Sequence, residues 1–478
     1  MLKKWIVRRT TRIGAACFGF LAGLGLVQLG LAVEGWLVWS VLILVLIACS
    51  RFAVWALIAA ALAGFILGLW RGGDALHQQG ELQALVGQKI VLQGQVATDA
   101  TYDDRGQLDI RLSHVVINGR SYTGVVRVKS FSVVGVQRGD VVQAAGKMQS
   151  GFGNYQAALY FAELHPIAKT GSWFETARRH FAAVIYSNIP EPQASLGLGF
   201  LLGLKSSLPD TLNDQLKVLG LTHIVVASGY NLTILIRLSR RIFEKVSKFQ
   251  AAAVSGGLLA AFLAITGFSP SMSRAALVTG LALVAWYYGR RIKPAVLLLV
   301  AAAITAGINP LFLWFDLGWW LSFLAFAGVL LLAPLLQYRF LGKAQPRMVT
   351  QVIFETLAAQ LLTLPLILWV FGDFSVLALL ANILIVPLIP LAMAATFLAG
   401  IVAFLAPPII AGFAAWPATI ILSYMSQVIT LLASVPWATV TVAITTAGMI
   451  GLYATLCIFG AFLWFRVGRI VPARSIVE

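Results

Sequence analysis

Two neighbouring apolar segments of this chain are interrupted by polar side chains that could line a path for a charged solute. The first segment, VLGLTHIVVASGYNLTILIR, covers residues 218–237, and the second, TGFSPSMSRA, covers residues 266–275. Polar and charged groups at membrane depth are costly, so they usually face a partner or a water-filled cavity. Two such segments in succession predict a polar route through a membrane protein.

The candidate channel residues come from these two segments and from two later apolar stretches. On a helix, His223 and Asn231 fall within about 80° of each other, so both can line one face. Gly229 allows a close helix approach or a local break in the helix. The full set of predicted channel residues is His223, Ser228, Gly229, Asn231, Ser271, Ser273, Arg274, Asp316, Trp320, Ser322 and Asn382.

Each of these residues also has a structural explanation that the spacing leaves open. Asn231 can join helices through interhelical hydrogen bonds. Arg274 can extend to the membrane surface, and Asp316 can cap the helix that starts at Leu317. A Ser-His hydrolase is a weaker alternative, because the sequence has no GxSxG pattern and no carboxylate close to His223.

The composition places these segments in a polytopic α-helical membrane protein. Of its 478 residues, 59% are hydrophobic and 11% are charged, and the mean hydropathy is +0.87. Apolar runs recur throughout the chain, and their lengths predict about ten or eleven crossings. The stretch 375–405, with Pro387 and Pro390, predicts either one broken span or two half-spans. Basic clusters alternate with the predicted spans and place both termini in the cytoplasm.

The three cysteines, Cys17, Cys49 and Cys457, lie in apolar segments and form no CxxC or Cys/His ligand pattern. They therefore indicate neither a metal site nor a disulfide framework. We expect no cofactor, no metal and no enzymatic activity.

A β-rich insert with an OB-like barrel pattern interrupts the spans. Five short strands occur in about 80 residues, and Asn118-Gly119 between two of them is a strong hairpin signal. The predicted order of domains is N-terminal spans 1–70, an extracytoplasmic β domain 71–172, an interfacial or amphipathic helical bridge 173–217, a channel domain 218–466 and a cytoplasmic tail 467–478. Within the bridge, residues 195–204 are too short to span and are expected to be interfacial or re-entrant.

One face of the β domain combines basic and aromatic side chains. Strand alternation over 121–131 puts Arg127, Lys129 and Phe131 on the same face, and Arg111 on the preceding strand also points outward. Single-strand binding uses this combination, because cations follow the phosphates and a ring stacks on a base. An ordinary solvated sheet face explains the pattern equally well, since the insert has a net charge of only +2. The predicted DNA-binding set is Arg111, Tyr122, Arg127, Lys129 and Phe131.

Several stretches together resemble the competence domain of ComEC-family DNA-uptake channels. They are LGFLLGLKSSLP, LGLTHIVVASGYNLTILI, TGFSPSMSRAALVTGLALVAWYYGRR and INPLFLWFDLGWWLSFLAFAGVLLLAP. The β insert likewise resembles that family's N-terminal OB-fold region. The resemblance implies a bacterial inner-membrane channel through which single-stranded DNA enters the cytoplasm during natural transformation. The positions that match the family's His…Ser-Gly pattern and its two later motifs are His223, Ser228, Gly229, Ser271, Arg274, Asp316 and Ser322.

The chain departs from the family pattern at three places. Tyr230-Asn231-Leu232 stands where Leu-His-Val is usual, and Trp320 replaces a usual Gln. Many members carry a C-terminal metallo-β-lactamase-like domain, but the sequence has no HxHxDH cluster. We therefore expect a short form of the family, with a separate nuclease acting in trans.

The remaining partners are also expectations. The sequence has no GxxxxGK[ST] nucleotide-binding motif, so a partner must drive movement of DNA. The resemblance implies an external DNA receptor and a cytoplasmic helicase-like ATPase, in addition to single-stranded DNA and membrane lipid. The oligomeric state stays open. Two alternatives are a transporter or flippase for a smaller anionic or lipid-linked substrate, and a non-conducting assembly protein.

Overall fold

The computed structural model of the chain describes residues 9–31, 35, 39–49, 53–98, 100–102, 106–122, 124–131, 136–151, 155–169, 173–204, 208–225, 229–266, 270–290, 293–342 and 348–468. The chain divides into two compact units. The first contains Met1–Ser172 and Ala295–Trp320, and the second contains Trp173–Pro294 and Leu321–Glu478.

The helices in chain order are α1 Arg9–Leu26, α2 Trp39–Cys49, α3 Ala53–Gln83, α4 Trp173–Asn188, α5 Gln193–Leu202, α6 Asp210–Val218, α7 Thr222–Val225, α8 Gly229–Phe243, α9 Lys248–Thr266, α10 Pro270–Tyr287, α11 Pro294–Ile308, α12 Leu311–Phe315, α13 Leu317–Ala327, α14 Ala333–Leu341, α15 Met348–Val370, α16 Ala378–Ile385, α17 Ile389–Leu405, α18 Pro408–Ala433 and α19 Thr446–Leu463. The strands are β1 Lys89–Val96, β2 Thr101–Tyr102, β3 Leu108–Ile117, β4 Arg120–Tyr122, β5 Val126–Ser130, β6 Val141–Ser150, β7 Ala157–Ala168, β8 Asp373–Ser375 and β9 Thr439–Thr441.

Eight helical stretches of the described residues are long and apolar enough to cross a membrane. They are Arg9–Leu29, Val54–Gln83, Lys248–Thr266, Leu317–Leu341, Val349–Val370, Ala378–Leu405, Pro408–Ala433 and Thr446–Val467. The chain is therefore a polytopic helical membrane protein, as predicted, while the total of ten or eleven crossings stays a prediction. The stretch with two prolines forms one interrupted span, because a 3-10 turn at Val386–Leu388 joins α16 to α17.

In the first unit, helices α1 and α3 cross with their backbones in direct contact. A Cβ atom added at Gly19 would lie 2.0 Å from the carbonyl oxygen of Ala61, and one added at Gly64 would lie 1.9 Å from that of Ala16. Each helix places a second glycine four residues further on, which is the small-residue spacing that lets membrane helices approach closely. The packing of these two helices therefore depends on the absence of side chains along the contact.

Replacing Gly19 by Val should destabilise the first unit by at least about 2 kcal/mol, because the new side chain would force the two backbones apart. The matched control is Gly25→Val on the same helix, where an added Cβ meets nothing within 4 Å. Both variants lose a helical glycine, so the propensity effect cancels between them. Thermal unfolding of the purified protein in detergent measures the difference, and equal melting temperatures would contradict the close-contact explanation.

The β insert folds into a closed five-stranded barrel, which confirms the predicted class of domain. Going round the barrel, β1 pairs with β3, β3 with β5, β5 with β7, β7 with β6, and β6 with β1. The β5–β7 pair is parallel and the others are antiparallel. Numbering the five barrel strands along the chain gives the order 1-2-3-5-4-1, the connectivity of an OB barrel. The face of strands 2 and 3 and the loops 1–2 and 4–5 are the usual ligand-binding elements of this fold.

Local signals in the insert agree with the structure. The predicted hairpin at Asn118-Gly119 joins β3 to β4, and both residues have the positive φ angles, 50° and 80°, that such a turn requires. The boundary at residue 71 is wrong, because α3 continues to Gln83 and the barrel begins only at Lys89. Helix α3 continues beyond its apolar stretch into polar sequence, so the change of composition at residue 71 does not mark the end of the helix.

In the second unit, helix α5 lies in the centre of the hydrophobic core. Eight of its ten residues are buried. Glycine permits this, since a Cβ at Gly197 would lie 2.9 Å from Thr396 Oγ1, and one at Gly199 would lie 2.9 Å from Val225 Cγ1. The interfacial interpretation of residues 195–204 is therefore wrong, because neighbouring helices cover this segment on all sides.

Candidate functional site

The outer face of β3 and β5 carries the predicted basic side chains. Ile110, Leu112 and Val128 are fully buried in the barrel core, so the alternate residues on these strands point outward. Arg111 and Arg127 stand directly opposite each other in the antiparallel pair. The predicted direction of both arginines is confirmed, and both lie on strands 2 and 3 of the OB order.

Both guanidinium groups stack on one aromatic ring that the sequence analysis did not select. The guanidinium carbon lies 5.2 Å from the Tyr155 ring centroid for Arg111 and 5.7 Å for Arg127. Tyr155 belongs to the loop between β6 and β7, which is loop 4–5 of the OB barrel. An aromatic residue in that loop was the available signal, but it required knowledge of the barrel's strand order.

Asp109 holds Arg127 through a forked ion pair. Arg127 Nε donates to Asp109 Oδ1 at 3.0 Å and to Oδ2 at 3.1 Å, and its Nη2 also donates to Oδ2. The hydrogen bonds that Arg127 donates to Asp109 raise the pKa of the Arg127 guanidinium, which therefore stays charged. Arg127 is thus already engaged with a carboxylate, whereas Arg111 faces Tyr155 without a carboxylate hydrogen bond among the described residues.

Asp316 acts on the same aromatic ring. Burial raises the pKa of the Tyr155 phenol, while Arg111 and Arg127 lower it and Asp109 and Asp316 raise it further. The structure thus brings the predicted Arg111 and Arg127 together with two residues that were not predicted, Tyr155 and Asp109, and the charge of the predicted Asp316 acts on the same phenol. We call Asp109, Arg111, Arg127, Tyr155 and Asp316 the Tyr155 cluster.

The segment that carries Asp316 is fastened to the N-terminal helices of the same unit. Arg71 Nε donates to the carbonyl of Gly307 at 2.9 Å, and Trp314 Nε1 donates to the carbonyl of Leu24 at 2.8 Å. Both bonds join residues far apart in sequence. They hold α11 and α12 against α3 and α1, and they therefore position Asp316, which follows α12.

Asp316 also has the capping role that its position predicted. The backbone N–H of Trp319 donates to Asp316 Oδ1 at 3.1 Å, as expected for a side chain preceding a helix that begins at Leu317. Trp320 is 41% exposed, and its indole donates to the carbonyl of Leu313 at 2.9 Å. Its ring is therefore anchored at one edge and accessible elsewhere.

A second aromatic feature lies at the end of β5. Phe131 is 56% exposed and stacks at a centroid distance of 5.8 Å on Phe161, which is 70% exposed. Phe161 has a positive φ of 57°, which the strand pattern did not reveal. Lys129 points outward as predicted. Tyr122 is half-buried and packs against the barrel core, and its part in DNA binding stays a prediction.

Three predicted segments meet in the second unit at Gly229. A Cβ added there would lie 2.5 Å from Ala275 Cβ on α10 and 3.5 Å from Phe326 Cζ on α13. The close helix approach predicted for Gly229 is confirmed. Ser322 is half-buried one helical turn before Phe326. Ser228 lies outside the described residues.

Asn231 joins two helices through a hydrogen bond, which is the structural role that the sequence left open. It is 1% exposed, and its Nδ2 donates to the carbonyl of Phe200 on the buried helix α5 at 3.2 Å. This bond joins α8 to α5, as interhelical polar contacts in membrane proteins do. This bond favours the packing role for Asn231, and a part in lining an opening stays a prediction.

The other predicted channel residues of this unit differ in their access to water. His223 hydrogen-bonds to the backbone of Gly220, Ser271 is exposed, and Ser273 is half-buried. Arg274 is only 3% exposed. The expectation that Arg274 extends to the surface is wrong, since its side chain turns into the protein.

Asn382 adds a second buried polar group to the interior. It is 5% exposed, and its Oδ1 has no hydrogen-bond partner within the described ranges. The Oγ1 atom of Thr396 is likewise buried without a partner there. Unsatisfied polar atoms are expensive to bury, so those of native proteins usually serve a purpose beyond packing. The interior thus contains a buried cation, Arg274, together with the unpaired Oδ1 of Asn382 and Oγ1 of Thr396 within the described ranges.

Comparisons with known proteins found a matching family model and a related protein. The family model described as Competence protein matches residues 200–467. The ComE operon protein 3 of Bacillus subtilis (strain 168) is 26% identical over 214 residues, which cover 44% of this chain and 26% of that relative. The chain thus spans about a quarter of the length of this relative. No solved structure matches the chain.

Proposed function

This chain belongs to the competence protein family, and from that premise we propose that it is a bacterial inner-membrane channel that conducts single-stranded DNA into the cytoplasm. Family membership gives the chain a role in competence. The direction of transport, the single-stranded form of the DNA and the cytoplasmic position of both termini are parts of the proposal. It is supported by the resemblance of the two interrupted segments and by the chemistry of the Tyr155 cluster.

The observation that carries the proposal is the pair of guanidinium groups on Tyr155. Arg111 and Arg127 provide positive charge on the strands that bind ligands in OB barrels. The ring of Tyr155 holds both guanidinium groups, and the exposed ring of Phe131 provides a surface on which a base can stack. Charge along a backbone path with aromatic rings beside it is the combination used by proteins that bind single strands without sequence preference.

The interior of the helical unit supports the conducting part of the proposal. Each phosphate of DNA carries a charge that hydrocarbon cannot accommodate. Arg274 and Asn382 are buried polar residues in a membrane domain, where such groups commonly mark the path of a solute. Asn231, by contrast, is assigned to packing.

The proposed partners are those that the resemblance implies. An external receptor would deliver DNA to the barrel, and a nuclease would remove one strand. A cytoplasmic helicase-like ATPase would draw the other strand inward. The proposal also includes membrane lipid as the surrounding solvent of the helical spans.

Uptake of labelled DNA by a deletion strain tests the function directly. Surface binding and cytoplasmic entry should be scored separately. We expect the deletion to retain DNA at the surface and to lose cytoplasmic entry, and the intact chain to restore it. Normal entry in the deletion strain would instead favour the transporter or flippase for a smaller anionic or lipid-linked substrate.

Asp109→Asn should increase the affinity for single-stranded DNA by roughly threefold at low salt, because it releases Arg127 from a partly exposed ion pair while preserving the side chain's shape. The measurement is a titration of the full-length protein in detergent with a fluorescent oligonucleotide. The matched control is Glu163→Gln, which removes one exposed negative charge from the same barrel. Weaker binding by Asp109→Asn would exclude the cluster as a DNA contact.

A further inference from the structure

Three helix ends of the second unit meet around Trp286. The guanidinium carbon of Arg240, near the end of α8, lies 5.0 Å from the Trp286 ring centroid, and the ammonium of Lys248, at the start of α9, lies 5.6 Å from it. Trp286 itself lies at the end of α10. The tight turn between α8 and α9, in which Ser247 N–H donates to the carbonyl of Phe243 at 3.1 Å, brings the first two ends together.

This corner combines exposed cations with exposed apolar side chains. Residues 240–250 contain four cations and a single acid, Glu244. Glu244 lies 3.9 Å from Arg240, which is mostly buried. The remaining cations, Arg241, Lys245 and Lys248, are exposed. They alternate with apolar side chains that are also exposed, namely Ile242 at 56%, Val246 at 72% and Phe249 at 66%.

We propose that this surface, the Trp286 corner (residues 240–249 and Trp286), binds an anionic phospholipid. The phosphate would lie against the three exposed cations, and the upper part of the acyl chains against the three exposed apolar side chains. In a polytopic membrane protein, a tryptophan beside cations at helix ends is typical of the headgroup level. Basic residues at that level attract anionic lipids.

The apolar residues decide between a lipid and other anions. A nucleic acid or an acidic protein segment would satisfy the cations but would provide no hydrocarbon for Ile242, Val246 and Phe249. A phospholipid satisfies both kinds of side chain at once. The inference is independent of the proposed channel function, because it concerns the lipid environment and involves no DNA.

The test uses the full-length protein in nanodiscs of phosphatidylcholine with phosphatidylglycerol as the minor component. Native mass spectrometry then counts the phosphatidylglycerol molecules that remain bound after release. We expect retention by the wild type and its loss in Arg241→Gln/Lys245→Gln/Lys248→Gln. If each cation contributes about fivefold in affinity, the combined loss is on the order of 100-fold. Arg241→Lys/Lys245→Arg/Lys248→Arg, which keeps the charges, should retain the lipid.

Two further variants give the proposal its sharpest challenge. Lys89→Gln/Lys147→Gln/Lys169→Gln removes the same charge from exposed positions of the barrel, and an equal loss of lipid there would reduce the effect to bulk charge and overturn the proposal. Ile242→Ser/Val246→Ser/Phe249→Ser keeps the cations and should also lose the lipid. Full retention by that variant would contradict the acyl contact. Displacement of the lipid by inorganic phosphate or an oligonucleotide would assign the cations to a soluble anion instead.

Discussion

Full-length protein with Arg111→Gln and Arg127→Gln should bind single-stranded DNA far more weakly than the wild type, and its binding should depend less on salt. Each cation that neutralises a phosphate of a single strand contributes about 0.7 to the slope of log affinity against log salt. Loss of both arginines should therefore lower that slope by between about 0.7 and about 1.4, because Arg127 shares its charge with Asp109. The weakening itself should be largest at low salt, where displaced counterions contribute most.

The slope separates a contact from a structural disturbance. A variant that merely distorts the barrel weakens binding without a defined change in the number of displaced ions. Lys89→Gln/Lys147→Gln is the matched control, because these exposed lysines face each other on β1 and β6 of the same barrel and the variant loses the same charge. If both double variants change the slope equally, the Tyr155 cluster has no special part in binding. Thermal unfolding of each variant checks that the barrel stays folded.

Asp109→Asn is expected to raise the affinity for single-stranded DNA, whereas loss of the arginines lowers it. This opposite effect tests more strictly whether Arg127 contacts DNA. If Arg127 contacts phosphate, removing its carboxylate partner strengthens binding, whereas removing Arg127 weakens it. A purely structural Arg127–Asp109 pair predicts that either change destabilises the barrel and that neither strengthens binding. The two experiments together therefore distinguish a binding surface from an ordinary solvated sheet face.

The barrel was predictable because its signals are local. Strand alternation alone determines that Arg111 and Arg127 point outward, since successive side chains of a strand leave opposite faces. A two-residue turn with Asn118-Gly119 likewise requires only its own backbone preferences. Membrane class followed from the composition for the same reason, because spanning helices must be apolar along their whole length.

The parts that sequence reasoning missed depend on distant contacts. Tyr155 became a candidate only when the order of five strands placed its loop beside β3 and β5. The burial of α5 depends on Gly197 and Gly199 meeting residues far along the chain. The left-handed backbone at Phe161 is similarly set by the register of β6 and β7, where the pairing shifts. No local pattern encodes any of these.

The polar residues of the helical unit show the same difference between what local sequence predicts and what depends on distant contacts. Sequence reasoning treated Asn231 and Arg274 alike, as polar groups in apolar segments. The structure separates them by charge, because Asn231 is a neutral amide that donates to a backbone carbonyl on α5, whereas Arg274 places a cation in the interior close to the contact of α8 and α10. A neutral amide that joins two helices is a common packing feature, whereas a buried charge in a membrane domain commonly marks the path of a solute.

Arg274→Gln should therefore block cytoplasmic entry of DNA while leaving DNA binding at the barrel unchanged. Inserting a charge into a membrane costs about 3 kcal/mol, so if Arg274 compensates passing phosphates by a similar amount, its loss should slow entry by roughly 100-fold. Uptake of labelled DNA by cells that carry the variant measures entry, and immunoblotting of membranes measures its abundance. Arg274→Lys keeps the charge and should preserve part of the activity.

The alternative for Arg274 is a cation that only stabilises the fold, and it predicts a different pattern. A structural Arg274 would make the Gln variant scarce in membranes and lower its melting temperature, as expected for Asn231→Leu, which removes the bond to Phe200. A conducting Arg274 leaves abundance near that of the wild type and abolishes entry. Normal entry by abundant Arg274→Gln protein would show that the strand does not pass this residue, and the proposed route through the second unit would then be wrong.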